Sequence, residues 1–243
     1  VTSLRGRKSA TLAGIALLPT AVIPLVLTGE FPVLFPCWSA SPEQLAVWFA
    51  ANHDAVLVQN FAFSLSLILL VWFAAGLAER LRVSPQPSLS GQLITPLAIV
   101  VAAAYLVCNS LWTMAVVGVR TVPMSDALIA YSARAAIVVW LIAEPVCAAV
   151  LFAAAVAIFR AQVLPQWLAW SALVIAVPNL LVTFAVLVKD GWLAPISLAT
   201  LLPFNLFMLW AVAAAVRMLF PDVSAPASRG TARGERPRGE QPI

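Results

Sequence analysis

Charged side chains are scarce in this chain of 243 residues: Lys, Arg, Asp and Glu together make up 10% of it, where a water-soluble globule carries about 25%. With 63% hydrophobic residues and a mean hydropathy of +0.99, that scarcity excludes a soluble globule and implies an integral membrane protein. Histidine is nearly missing as well. His53 is the single one, which excludes a multi-histidine metal site and a haem held by two histidines. The cysteines, Cys37, Cys108 and Cys147, show no C-x-x-C or metal spacing, and an odd number cannot all pair, so they read as free thiols. Glycine-rich phosphate loops and G-x-S-x-G elbows are also lacking. No metal, cofactor or nucleic acid is therefore expected.

What is present is apolar sequence in long runs. Stretches near 9–28, 55–78, 91–119, 135–159, 166–188 and 196–217 are each long enough, at about 1.5 Å per residue, to cross a hydrocarbon core of roughly 30 Å. They predict an all-α, polytopic helical bundle with about six transmembrane helices, forming one domain over 1–220. Arg5, Arg7 and Lys8 before the first stretch imitate a signal peptide, but no small-residue cleavage site follows, so a retained first helix is expected. With the amino terminus inside, Arg80, Arg82, Arg160, Arg217 and the tail arginines fall on the same side, leaving Arg120, Arg134 and Lys189 outside. That asymmetry satisfies the positive-inside rule and places both termini in the cytoplasm, in a multi-pass protein of the plasma membrane. The tail 221–243, rich in Pro, Arg, Gly and Ser, reads as disordered.

Two further segments carry local signals. Ser41-Pro42-Glu43-Gln44 has the form of a helix start, with Ser41 as N-cap, Pro42 at the first helical position and Gln44 three residues on. The helix it opens carries Leu45, Trp48 and Phe49 and is expected along the outer interface, as a connector or as a lid over a pocket. Asp126–Gln162 is too long for a perpendicular span, so its first turns are expected to project outward or tilt. Trp38, Trp48, Trp167, Trp170 and Trp192 fall near span ends, as an interfacial belt would, while Trp72 and Trp210 read as belt or packing.

Counted from the outer end of each span, Ser64, Asn109, Glu144, Asn179 and Asn205 lie at similar depth, ~14 Å in by the helical rise and so near the bilayer midplane. An unsatisfied amide or carboxyl group in lipid costs several kcal/mol, so a common inward-facing polar layer is expected. Prolines adjoin it: Pro145, Pro178 and Pro203 would free the carbonyls of Leu141, Val174 and Ala199. Glu144 is the one carboxyl group within a span. An ionisable group there is a functional-site hypothesis by default, and the surroundings favour its uncharged form. The asparagines read equally as interhelical hydrogen-bonding glue. Tyr105 and Trp112 flank Asn109 on its helix face, and Trp140 lies four residues before Glu144. Together they describe a pocket with an acid and amides at its floor and aromatic faces on its wall, or else ordinary core packing.

Three functions follow from that arrangement. A buried carboxylic acid can protonate an alkene or epoxide, and aromatic faces can stabilise the carbocation formed. Alternatively, Glu144 is the titrating group of a small proton-coupled transporter, although no internal repeat is visible. Third, small-residue runs such as Ala102-Ala103-Ala104 and Ala213-Ala214-Ala215 permit close packing within the bundle or with another subunit, as in a membrane scaffold or an oligomer.

The run from Val71 through Trp72, Gly76, Glu79 and Arg80 to Arg82, with Leu164-Pro165-Gln166-Trp167 after the fourth span, resembles a broad set of uncharacterised multi-span proteins of high-GC bacteria, and Val1 read as a GTG start fits that origin. In size, span number and buried acid the chain is more loosely similar to the small integral-membrane terpene cyclases of meroterpenoid and indole-sesquiterpenoid biosynthesis. That resemblance implies metal-independent cyclisation of a lipophilic prenylated, or epoxidised prenylated, substrate. Glu144 would be the acid, with Asn109, Asn179, Asn205, Ser64, Trp112, Trp140 and Tyr105 contacting substrate. The fungal-type enzymes use two carboxylates and usually seven spans; Asp54, at the mouth of the second span, is the nearest second acid here.

Overall fold

The computed structural model describes residues 4–27, 38–82, 89–122 and 124–220. Among them every regular element is helical: α1 (Leu4–Leu27), α2 (Pro42–Ala51), α3 (His53–Arg82), α4 (Leu89–Arg120), α5 (Asp126–Ala161), α6 (Gln166–Leu181), a 3₁₀ segment Val182–Leu187, and α7 (Leu198–Leu219). The tail 221–243 and Cys37, on which the sequence reading also bore, lie outside the described residues.

The chain is a multi-pass helical membrane protein: among the described residues α3, α4, α5, α6 with its 3₁₀ extension, and α7 are the five helices long and apolar enough to cross a bilayer. The expectation of six is met in part, since α1 is a helix of 24 residues packed along α3 and α7 but is not among those five. Large apolar side chains such as Phe61, Ile68, Trp72, Val107, Phe152 and Val174 are exposed on the flanks of the bundle, where lipid rather than water suits them. Trp167, Trp170 and Trp192 are likewise exposed, whereas Trp210 is buried and donates to the carbonyl of Leu168 at 2.9 Å. Trp210 is thus packing rather than belt.

α5 is the axis of the bundle, packing on α4 and α6 and touching α2, α3 and α7. Its buried face is made largely of small residues, among them Ala136, Ala143, Ala148, Ala154, Ala155 and Ala157, which let neighbouring backbones approach closely. At 36 residues it is about 54 Å long by the helical rise, well beyond a hydrocarbon core, and its first turns carry α2. Ala40, Leu45 and Ala130 form one small buried cluster there, and Phe49, Val56, Ala115, Val116, Ile129 and Ala133 another.

α2 begins as its sequence predicts. Ser41 caps it, accepting from the Gln44 amide at 3.3 Å while the Gln44 side chain accepts from the Ser41 amide at 2.8 Å. The Ser41 hydroxyl holds the exposed Glu43 carboxyl below the usual carboxylate range. Arginines from two other helices pin its ends: Arg134 of α5 donates to the Ala40 carbonyl at 2.7 Å and Arg120 of α4 to the Ala50 carbonyl at 2.8 Å. A cation at a helix carboxyl end is favourable, because the last carbonyls lack intrahelical partners.

The α1–α3–α7 corner depends on glycine. A Cβ on Gly14 would stand 2.5 Å from the Ala215 Cβ and 2.6 Å from Phe73, and one on Gly76 would collide with the Ala10 Cβ. Both clashes involve short, stiff groups. We expect Gly76→Ala to lower the melting temperature in detergent, at a cost of about 1–3 kcal/mol from overpacking. Adding Ala10→Gly to it should restore part of the loss; equal melting of wild type and Gly76→Ala would refute the close contact.

Candidate functional site

Glu144 sits on the buried face of α5 with no exposed surface. Tyr105, four turns along α4 and itself 1% exposed, donates its hydroxyl to Glu144 Oε1 at 2.8 Å. Trp140, one turn before Glu144 on α5, donates its indole N–H to the same oxygen. The pair meets because residues i and i+4 share a helix face, and because α4 and α5 pack along their length. Cys147, one turn further on, brings its Sγ to 3.6 Å from the Tyr105 hydroxyl. Oε2 of Glu144, by contrast, is buried and has no hydrogen-bond partner.

Aromatic rings pack on the two donors that hold this acid. Phe204 of α7 lies 4.9 Å from Tyr105, 6.5 Å from Trp140 and 5.8 Å from Phe63, ring centroid to centroid, and Phe63 lies 5.9 Å edge-on to Tyr105. As the un-ionised acid, Glu144 would use Oε1 as the carbonyl oxygen that accepts both bonds and carry its proton on Oε2. In that form it would be a proton donor orientated by two fixed partners, beside rings whose quadrupoles attract positive charge.

The remaining polar residues divide into separate groups rather than one layer. Asn109 donates from Nδ2 to the Asn60 carbonyl at 2.7 Å and to Ser64 Oγ at 2.8 Å, and Asn60 donates to Thr113 Oγ1 at 2.9 Å. This is a seam between α3 and α4. Asn179, fully buried, donates to the Ile175 carbonyl at 2.8 Å and the Pro203 carbonyl at 3.2 Å, tying α6 to α7, while its Oδ1 is without a partner.

Three expected residues fall elsewhere. Asn205 is exposed on the outer flank of α7 and donates to the Leu201 carbonyl of its own helix at 2.8 Å; an i−4 carbonyl satisfies half of the amide without burial. Trp112 stands nearer the α2 end of the bundle, edge-on to Phe49 of α2 at 5.3 Å, and packs with Ile137, Leu141 and Val182. Asp54 is not brought to Glu144: its side chain is 86% exposed, 2.7 Å from His53 Nδ1 and 3.9 Å from an Arg120 nitrogen. Exposure and two basic neighbours make it a rim residue. Sequence reasoning missed Asn60, Thr113, Phe63, Phe204 and Cys147. The spacing of Tyr105, Asn109 and Thr113, each four residues from the next, carried a signal for the seam; nothing in the sequence singled out Phe204.

No protein family, characterised protein or solved structure matches this chain.

The shared oxygen predicts an energetic coupling. Tyr105→Phe leaves the donor count of Oε1 short in a buried place and should cost about 1–3 kcal/mol in stability. In the Glu144→Leu background the same change should cost much less, a coupling of about 0.5–3 kcal/mol in a double-mutant cycle read from thermal melts. Additive effects would show that the bond contributes nothing.

Proposed function

We propose that this chain is an integral-membrane terpene cyclase that acts on a lipophilic prenylated, or epoxidised prenylated, substrate by protonation-initiated carbocation cyclisation, with Glu144 as the acid. We further propose that α1 is the first of six spans and that both termini face the cytoplasm, as the basic residues favour. The observation that carries the function is the one-sided bonding of Glu144: Oε1 is held by Tyr105 and Trp140 while Oε2 is buried and unpartnered.

In the first step the Oε2 proton passes to the terminal alkene or epoxide, and the carboxylate left behind keeps the two bonds on Oε1, which are stronger to a charged acceptor. Ring closure moves the cation along the prenyl chain past Phe204, Tyr105 and Phe63, whose faces stabilise it. Loss of a proton from the last cation gives an isomer of the substrate and returns a proton to the carboxylate. Entry requires Phe204 to swing aside with α7, where Pro203 deprives the Ala199 carbonyl of its helical partner. Of the alanine runs, Ala102, Ala214 and Ala215 are spent on packing within the bundle, while Ala103 is exposed.

The test compares organic extracts of cells expressing wild type and Glu144→Gln, supplied with prenylated and epoxidised-prenyl substrates. Wild type should yield a cyclised isomer, identified by mass spectrometry and NMR. Glu144→Gln, at equal protein level, should lower its formation by about 10²-fold or more, the usual contribution of a general acid. A cyclised product unchanged by Glu144→Gln would overturn the proposal.

A further inference from the structure

The run that ends α3 contributes to a second polar place, at the opposite end of the bundle from α2. Ala75, Ala78, Glu79 and Arg82 of α3 and Gln92 and Thr95 of α4 line a cleft of about 320 Å³. Glu79 and Arg82 are three residues apart on one helix, as are Gln92 and Thr95 on the other, so each pair presents one face to the cleft. Among the described residues, none of these four side chains forms a hydrogen bond or ion pair. Four unspent polar groups of complementary kinds, gathered at a helix end where lipid headgroups lie, point to a ligand from the membrane.

The charges specify which one. This end of the bundle carries Lys8, Arg80, Arg82, Arg160 and Arg217, and Glu79 is the single carboxylate there among the described residues. A basic rim alone would suit any anionic lipid; a carboxylate within the cleft suits an added cation. We propose that the cleft binds the headgroup of an aminophospholipid of the phosphatidylethanolamine class. The phosphate is held by the Arg82 guanidinium, with the Gln92 amide and Thr95 hydroxyl as further donors, and the primary ammonium is held by Glu79. A choline headgroup has no N–H to give Glu79 and is favoured by aromatic faces, which this lining lacks. Phosphatidylglycerol has no cation and would set its phosphate beside an uncompensated carboxylate. The small side chains of Ala75 and Ala78 leave room for the glycerol end. This inference stands apart from the cyclase reading, because it uses no residue of the Glu144 site.

Native mass spectrometry of the full chain, titrated in detergent with ethanolamine, glycerol and choline phospholipids of identical acyl chains, tests it. Wild type should retain the ethanolamine lipid about fivefold better than either other lipid, the size of one interfacial charge contact. Glu79→Gln should abolish the advantage over the glycerol lipid, and Arg82→Gln should weaken both. These side chains lie at the periphery of the bundle, and Thr95→Val, which removes one donor and keeps the shape, should weaken phosphate retention without altering the ethanolamine preference. Equal retention of the three lipids by wild type, or a preference untouched by Glu79→Gln, would overturn the proposal. Displacement of the lipid by an equal concentration of soluble phosphoethanolamine would overturn the membrane source in favour of a free zwitterion.

Discussion

Two donors on one carboxyl oxygen organise the centre of this bundle. A buried acid cannot draw on water, so whatever stabilises it must come from neighbouring helices. Here the Tyr105 hydroxyl comes from α4 and the Trp140 indole from α5 itself. To deliver both, α4 and α5 must pack closely with a set rotation, and the ring of Tyr105 must be wedged in place, which Phe63 of α3 and Phe204 of α7 accomplish. Four helices are thereby referred to one side chain. The same arrangement leaves Oε2 without a partner among the described residues, as Asn179 Oδ1 also is, but of the two only a carboxyl oxygen can carry and give up a proton, which is the chemical interest of the site.

Around this centre the bundle is built by contrasting means. Within the membrane-depth region, small residues bring backbones together: alanines along α5, and Gly14 and Gly76 where α1 crosses α3 and α7. At the α2 end, by contrast, charge does the holding. Arg120 and Arg134, which the positive-inside pattern leaves in the minority, are engaged with the carbonyls at the two ends of α2. Both arginines of this end thus have a structural use, and the first turns of the long α5 serve as the support on which α2 packs. The opposite end keeps Glu79 and Arg82 unpaired beside a cleft, so the two ends of the molecule differ in how their charges are used as well as in number.

Much of the architecture was legible in the sequence because hydropathy is a property of composition along the chain. The helices from α3 onward lie within a few residues of the apolar runs that predict them, except that α5 begins nine residues before its run, as the long stretch Asp126–Gln162 leads one to expect, and Ser41 and Gln44 form the capping box their spacing announces. The depth argument also found Glu144, Asn109 and Asn179, which are buried. It failed for Asn205, which is exposed on α7, because depth along a helix says nothing of rotation about it, and an asparagine can turn back on its own carbonyl. It overstated the layer for a related reason: residues at one depth need not lie close together when they sit on different seams.

The all-helical, multi-pass character, the approximate places of the five long apolar helices and the charge asymmetry were determined by the sequence itself, since each depends on residues near one another in the chain. The pairing of Tyr105 with Trp140 on one oxygen, the displacement of Asp54 to an exposed rim and of Trp112 beneath α2, and the closure of the site by Phe204 were decided only by tertiary structure. Those outcomes depend on the rotation and register of helices far apart in sequence, which arise from side-chain packing and leave no periodic trace in the chain.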